Sequence, residues 1–454
     1  MNELVPIKVA IGSFAYRLSK FTIFSYDIAG NFMAEIEIKN VGPVKEAKLT
    51  LKKVNAIMGP QSSGKSTIAK IISHCTWVEK DVATSQSLKR YNNNGESFKN
   101  YLEKYHKMNK YFQPDSYISY ESDVVKMKYD KEKFVIDWKD QYAYKRSKIS
   151  YIPSERNLIT LPEVEKIKFD KINIRNFLFE WYDVRKNYMK SKELSLLNLG
   201  VNYYYNEKAD EDYIIHQNGK SYNILLSDAS SGLQSITPLL AMIDYLIFGI
   251  YNQEETVSYE WEDRKQRVIE ILSEELVCKK YFGNNFNKSK EQLNEIAEKL
   301  ARGDEHLIKL VKNRLNIQEM LFTTHNSQLI IEEPEQNLFP ETQRDLIYYL
   351  LEKCLDKERE HRLTITTHSP YILYALNNCM MGELVKDKMI NASEQEKIKC
   401  ANSLIDPKCV SIYEIHDGKL KNIQQEDGLI SDNYFDTKMK ELMDDFYVML
   451  NYYE

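Results

Sequence analysis

An α/β fold is predicted by three segments in which a short apolar, strand-like run ends at a chemically distinctive group. Val54-Asn55-Ala56-Ile57-Met58 leads into the loop Gly59-Pro60-Gln61-Ser62-Ser63-Gly64-Lys65-Ser66 and then into the helix-like run Thr67-Ile68-Ala69-Lys70-Ile71-Ile72. Gln328-Leu329-Ile330-Ile331 leads into Glu332-Glu333-Pro334-Glu335, and Arg362-Leu363-Thr364-Ile365-Thr366-Thr367 ends at His368-Ser369-Pro370. Buried parallel strands read as continuous apolar runs, and they deliver the residues at their C-terminal ends to one crevice.

The first loop has the form of a phosphate cradle. Gly59 and Gly64 let successive backbone N–H groups turn toward an anion, and the N-terminus of the following helix adds its positive end. In this pattern Gly59, Gln61, Ser62, Ser63, Gly64, Lys65, Ser66 and Thr67 surround a nucleotide's phosphates, with Lys65 on the β and γ groups and the Ser66 hydroxyl on Mg²⁺. The expected cofactors are therefore ATP and Mg²⁺. At the second strand end, Glu332 is placed for the Mg²⁺ shell and Glu333 for orienting an attacking water. A solvated acidic turn is the plainer reading of those acids taken alone. His368, at the third strand end, could hydrogen-bond the γ-phosphate or the water, and Pro370 supports a strand ending there.

The bulk numbers restrict the remaining classes. A net charge of −5 over 454 residues gives no global basic field, so any DNA contact must be a local patch. The six cysteines show neither a C-x-x-C pair nor metal spacing, as expected of reduced thiols in the cytoplasm. No apolar run is long enough to span a bilayer, so no membrane partner is expected. Residues 1–32 lack a clear signal-peptide pattern and read as a loosely attached extension before the strand pattern Ile36-Glu37-Ile38-Lys39-Asn40-Val41-Gly42-Pro43.

Between cradle and acids lies Ser227-Asp228-Ala229-Ser230-Ser231-Gly232-Leu233-Gln234-Ser235, followed by an apolar helix pattern from Ile236 to Ile250. The order of cradle, Ser-Ser-Gly-x-Gln, apolar-Glu-Glu-Pro-Glu and Thr-His-Ser resembles the ABC-type ATPase heads of the SMC, RecF and OLD families. The resemblance implies a P-loop NTPase fold in which two heads close on two ATP molecules, as a homodimer or within a larger homo-oligomer. It implies that Ser231, Gly232 and Gln234 meet the nucleotide of a second protomer, that Glu332 serves Mg²⁺, and that Glu333 is the general base. Lys65 and His368 complete the implied catalytic set, His368 as the switch histidine, and Asn337 falls in the loop that crosses the interface in such heads. Glu332 stands where many relatives have Asp, and Gln61 where SMC-like heads often have Asn. The nearest Q-loop candidate is Ser150-Tyr151-Ile152-Pro153-Ser154-Glu155-Arg156-Asn157.

The expected division is an extension over 1–32, a first head part over 33–250, a helical insertion over 251–320, a second head part over 321–380 and a C-terminal hairpin and helix over 381–454. Within the first part, 75–149 is an insertion: Phe98, Tyr101, Leu102, Tyr105, Met108 and Phe112 share a helical face. Val125, Met127 and Tyr129, then Phe134, Ile136 and Trp138, alternate as a hairpin. Its aromatic residues read as a packing face, with base stacking as the alternative. A second hairpin runs from Asp212 to Leu226 around Asn218-Gly219. In 251–320, Leu293, Ile296, Ala297, Leu300, Leu307, Leu310 and Val311 recur at helical spacing, giving paired helices that serve a protein contact or simply face solvent. A hairpin around Asp417-Gly418 and a helix from Tyr434 to Leu450 close the chain.

The segment after His368 carries no Glu followed by an Asp-x-Asp metal pair, as a Toprim nuclease domain would, and no His-Asn-His pattern occurs. The expected function is thus an ATP-hydrolysing, nucleotide-gated switch, similar to the stand-alone ATPases of the Septu and PARIS anti-phage systems, working with a separately encoded nuclease. A DNA repair or chromosome-maintenance ATPase acting directly on DNA, and a non-hydrolysing nucleotide-dependent scaffold, are the alternatives.

Overall fold

The computed structural model describes residues 34–92, 95–161, 172–216, 223–252, 259–356, 358–389 and 397–453. Its strands are β1 (Ala34–Val41), β2 (Val44–Leu51), β3 (Val54–Met58), β4 (Phe112–Glu121), β5 (Val125–Asp130), β6 (Lys133–Trp138), β7 (Ser147–Ile152), β8 (Leu194–Ser195), β9 (Val201–Asn206), β10 (Glu211–His216), β11 (Asn223–Leu225), β12 (Asn326–Glu332), β13 (Arg362–Thr367), β14 (Val410–His416) and β15 (Lys419–Asn422). An 11-stranded sheet has the order β6-β5-β4-β1-β2-β15-β14-β3-β13-β12-β7, and a second sheet has the order β11-β10-β9-β8.

Chemistry concentrates in one part of the large sheet. β14, β3, β13, β12 and β7 are successive parallel neighbours. Every residue of β3 and β12 is buried, as expected of parallel strands covered on both faces. The registers Thr367↔Met58, Glu332↔Thr366 and Ile331↔Ile152 bring the strand ends that precede the phosphate loop, the histidine, the acids and Pro153 to one edge. The other half is antiparallel: β1 pairs with β2 and β4, and β5 with β4 and β6. Alternate residues of β1, including Ile36 and Ile38, are buried.

Helices cover both faces: α1 (Lys65–Ser85), α2 (Gly95–Lys104), α3 (Asn173–Val184), α4 (Ser231–Ile247), α5 (Tyr259–Ser273), α6 (Lys290–Ala301), α7 (Glu305–Phe322), α8 (Pro340–Cys354), α9 (Pro370–Val385) and α10 (Tyr434–Leu450). One core joins α1 to the antiparallel half through Ile68, Ile72, Val78 and Val82 against Ile36, Ile118 and Ile136. The other joins α4, α8 and α9 to the parallel strands and to Tyr203, Tyr205 and Ile214 of the small sheet.

Three segments differ from the periodicity reading. α1 continues to Ser85, so the region beginning at 75 opens inside a head helix. Phe112 opens β4 rather than extending a helical face; α2 ends at Lys104, Tyr105 stacks on Tyr101 from the turn that follows, and Ser116, Ile118 and Tyr120 of β4 are the alternate buried residues. The hairpin β5–β6 is no separate unit, because through β4 it extends the main sheet. In the 251–320 region, Leu293, Ile296, Leu300, Leu307 and Val311 form a core of their own with Val277 and Cys278. The bases of α5 and α7 instead enter the α1 core through Val268, Leu272, Ile317 and Leu321, and Arg264 donates to Asp81 Oδ1 of α1 at 2.8 Å. The hairpin around Asp417-Gly418 also joins the main sheet, with β14 lying directly beside β3. β10 and β11 pair in antiparallel register, whereas their expected turn at Asn218-Gly219 lies outside the described residues, as do residues 1–33. No helix among the described residues is long and apolar enough to cross a membrane.

Candidate functional site

The site begins with backbone geometry that side chains would forbid. Gly59 has φ +152°, and a Cβ there would lie 2.3 Å from the carbonyl oxygen of Ile415 in β14. Gly64 caps α1 at φ +113°, with a Cβ destined for 2.7 Å from Val44. Only glycine fits either position. Ser62 also takes a left-handed conformation, with φ 59°. The Ser63 hydroxyl is buried without a hydrogen-bond partner. A phosphate oxygen supplies the kind of group that such an orphan hydroxyl and the free N–H groups of a helix start require. Gln61 and Ser62 are exposed, Ser66 is half-buried and Thr67 is buried.

Lys65 is folded onto its own loop. Its Nζ donates to the carbonyls of Gly59 at 2.8 Å and Pro60 at 2.7 Å, and lies 3.2 Å from Nδ1 of His368. Burial lowers its pKa from 10.5 to about 8, against the opposing pull of Glu333 and Glu335. His368 Nε2 lies 3.0 Å from Oε1 of Glu333. An ammonium at Lys65 and a carboxylate at Glu333 together select one tautomer: Nδ1 accepts from Lys65, and Nε2–H donates to Glu333. His368 thereby joins the phosphate lysine to the acid. Its hydrogen bond is the first cause holding the Glu333 carboxyl below its usual range, ahead of the charge of Lys65.

The acids divide by environment. Glu332 is buried, its Oε1 lacks a well-formed hydrogen bond, and the Tyr151 phenol faces its carboxylate. A buried carboxylate oxygen left without a partner is of the chemical kind that a hard cation such as Mg²⁺ takes. Glu335 accepts from the backbone N–H of His368 at 2.6 Å and from the Thr367 hydroxyl at 2.9 Å, so it fixes the histidine's turn. Burial raises its pKa. Glu333 has φ 45°, a left-handed conformation that costs a non-glycine residue roughly 1–2 kcal/mol.

Arg156 holds that strained turn. It is fully buried, and its guanidinium donates to five backbone carbonyls: Ser235 (3.1 Å), Pro153 (3.4 Å), Glu332 (3.0 Å), Glu333 (2.8 Å) and Pro334 (3.3 Å). Burial brings its pKa down to about 10, although Glu335, Glu333 and Glu332 all pull upward. The segment Pro153–Arg156 singled out for a Q-loop thus contributes an internal clamp between the acid loop and α4. The sequence signal was present, an arginine directly after a strand end, but its partners are main-chain atoms that no motif records.

The Ser-Gly segment occupies a different place. Ser230 and Ser231 are exposed at the start of α4, and a Cβ on Gly232 would lie 2.8 Å from the carbonyl oxygen of Asn337. This segment therefore packs on the loop after the acids, where Asn337 has φ 60°. Gln234 turns inward: its amide donates to the carbonyls of Ser227 at 2.8 Å and Ala229 at 3.1 Å, and its Oε1 accepts from Thr160. Lys65, Glu333 and His368 are thus one hydrogen-bonded cluster, with Glu332 beside it; Ser231 is exposed at a separate place, Gly232 packs half-buried behind it on the Asn337 loop, and Gln234 braces the segment from within.

No protein-family model matches the sequence, and no curated protein matches it. Solved structures do. The SMC head domain from Thermotoga maritima aligns over 87% of this chain and 99% of its own, at 11% identity and a TM-score of 0.35. The recombination mediator RecF with ATP aligns over 86% of this chain and 99% of its own, at 12% identity and a TM-score of 0.27. A dimeric bacterial ABC transporter cassette aligns over 86% and 99%, at 13% identity and a TM-score of 0.24. At these identities the likeness is one of fold.

Proposed function

We propose that the chain binds and hydrolyses ATP as an ABC-type head. The observation that carries this reading is the Lys65–His368–Glu333 chain, assembled from three neighbouring strand ends around a loop that only glycines can form. On binding, Lys65 exchanges the carbonyls of Gly59 and Pro60 for phosphate oxygens, while the loop N–H groups and Ser63 take further oxygens. Mg²⁺ held at Ser66 and Glu332 would offset phosphate charge. Glu333 stays ionised through its bond to His368, so it acts by accepting a hydrogen bond from water and aligning it. When Lys65 moves to phosphate, Nδ1 of His368 loses its donor, and an imidazole protonated there would donate to a γ-phosphate oxygen.

The exposure of Ser230 and Ser231 at the start of α4 supports closure in trans, in which each head caps the nucleotide of another as a homodimer or larger homo-oligomer. The role we propose for that switch, anti-phage defence with a separately encoded nuclease, is motivated by the absence of nuclease motifs noted in the sequence and by the helices of 251–320 as a candidate protein contact. Turnover stimulated by DNA without a protein partner would favour direct DNA maintenance instead, and absence of any turnover would favour the scaffold.

The test is Glu333→Gln. Its turnover should fall by about 10²–10³-fold while ATP remains bound and closed dimers accumulate, because alignment is lost and the phosphate cradle is not. Nucleotide binding with unchanged turnover would remove Glu333 from the mechanism.

A further inference from the structure

Helix α10 buries none of its residues. Its first turn is fixed: Asn433 and Asp436 form a reciprocal cap, the Tyr434 N–H donates to Glu414 Oε2 at 2.9 Å, and the Tyr374 hydroxyl bonds to Asp436. Beyond that turn Met439, Leu442, Met443, Phe446, Tyr447, Val448, Met449 and Leu450 are 41–66% exposed. At an exposed area on the order of 100 Å² each, together they exceed the 300–600 Å² that is usual for the largest apolar patch of a monomer. Tyr434 and Phe435 pack on the core at the first turn of α10, and a helix whose later turns have no tertiary packing is marginal in water.

The apolar positions have a register. Phe435, Met439, Leu442, Phe446 and Met449 alternate by four and three residues along α10, the 3.5-residue period of a coiled-coil seam. Lys438 and Asp445 lie one heptad apart along the same edge of that seam. We propose that α10 pairs antiparallel with α10 of a second copy of this chain. In that two-fold arrangement Met439 faces the partner's Leu442, Phe446 faces the partner's Phe435, and each Lys438 lies beside the partner's Asp445. Charge complementarity is thus satisfied twice by one symmetry axis. A parallel pair would set Lys438 beside Met443 and Asp445 beside Leu450, with no charge matched. Lys438 also reaches Glu441 of its own helix at 2.7 Å, and the other charged residues, Lys440 against Asp436, Glu441 and Asp444, add no basic face for an anionic lipid surface. This contact needs no nucleotide, so it joins heads whether or not their ATP sites are closed.

The experiment is sedimentation equilibrium of the full chain, freed of nucleotide with apyrase, at low ionic strength. A dimer is expected, and Leu442→Glu with Phe446→Glu should yield monomer. Lys438→Glu or Asp445→Lys alone should weaken dimerisation about tenfold, because two symmetric pairs become repulsive, and the combined swap should restore it to within about threefold. A monomeric nucleotide-free chain would overturn the proposal and assign the helix to a different protein or to another segment of this chain. A swap that fails to restore pairing would overturn the two-fold register. Because nucleotide is absent, the result is independent of whether the ATPase reading holds.

Discussion

Replacing Arg156 with methionine keeps the side chain's approximate volume and deletes the clamp. Three of its hydrogen bonds, to Ser235, Glu332 and Glu333, are 3.1 Å or shorter. At about 1.5–3 kcal/mol net for each charge-assisted bond, they contribute at most roughly 5–9 kcal/mol. Burial lowers the guanidinium pKa to about 10 against the pull of Glu335, Glu333 and Glu332, and methionine escapes that desolvation. The expected loss is therefore about 3–5 kcal/mol, that of breaking a buried ionic network. Its site of action is specific: the lost bonds include the one to the Glu333 carbonyl, so the left-handed turn at Glu333 relaxes and His368 loses its partner. Urea unfolding should record the stability loss, and ATP turnover should fall more steeply than nucleotide binding. Arg156→Lys should fail similarly, because one ammonium cannot reach carbonyls spread around a planar fork. Stability within about 1 kcal/mol of wild type together with unchanged turnover would refute the clamp.

Two other perturbations test the cradle. The free-state pKa of Lys65 is lowered to about 8, and phosphate favours the ammonium, so ATP binding raises it. Affinity should be level below that pH and weaken by up to about tenfold per pH unit above it, with proton uptake visible by calorimetry in buffers of different ionisation enthalpy. Flat affinity well above pH 8 would contradict the depressed lysine. Gly59→Ala drives a Cβ to 2.3 Å from the Ile415 carbonyl oxygen. It should weaken ATP binding at least about tenfold, since the loop or β14 must move, and fluorescent-nucleotide titration would read the change.

The sequence made the chemistry legible where chemistry and local structure coincide. A glycine loop between an apolar run and a helix start reports itself, because its backbone requirement is local; so does a pair of acids after the three apolar residues Leu329, Ile330 and Ile331. The two closing elements were equally readable: Asp417-Gly418 turns β14 into β15, and the helix pattern from Tyr434 to Leu450 matches α10. Reading failed in degree where partners are distant. Phe112 fits the helical spacing of residues before it, yet β4 finds its pairing with β1, some seventy positions earlier in the chain. Gln234 carries a motif residue, but its amide is spent on the carbonyls of its own loop.

By itself, then, the sequence determined the cradle, the acids at a buried strand end, the histidine that follows a third strand and the α/β class that this order demands. Only the tertiary structure decided that Met58, Thr367 and Glu332 stand at adjacent rungs, that Lys65 and Glu333 meet across His368, and that Arg156 locks the acid turn from inside. The reason is physical. Backbone conformation and apolar periodicity are encoded within a few residues, whereas strand order, the carbonyls that a buried guanidinium finds and the face that a terminal helix leaves uncovered depend on long-range packing.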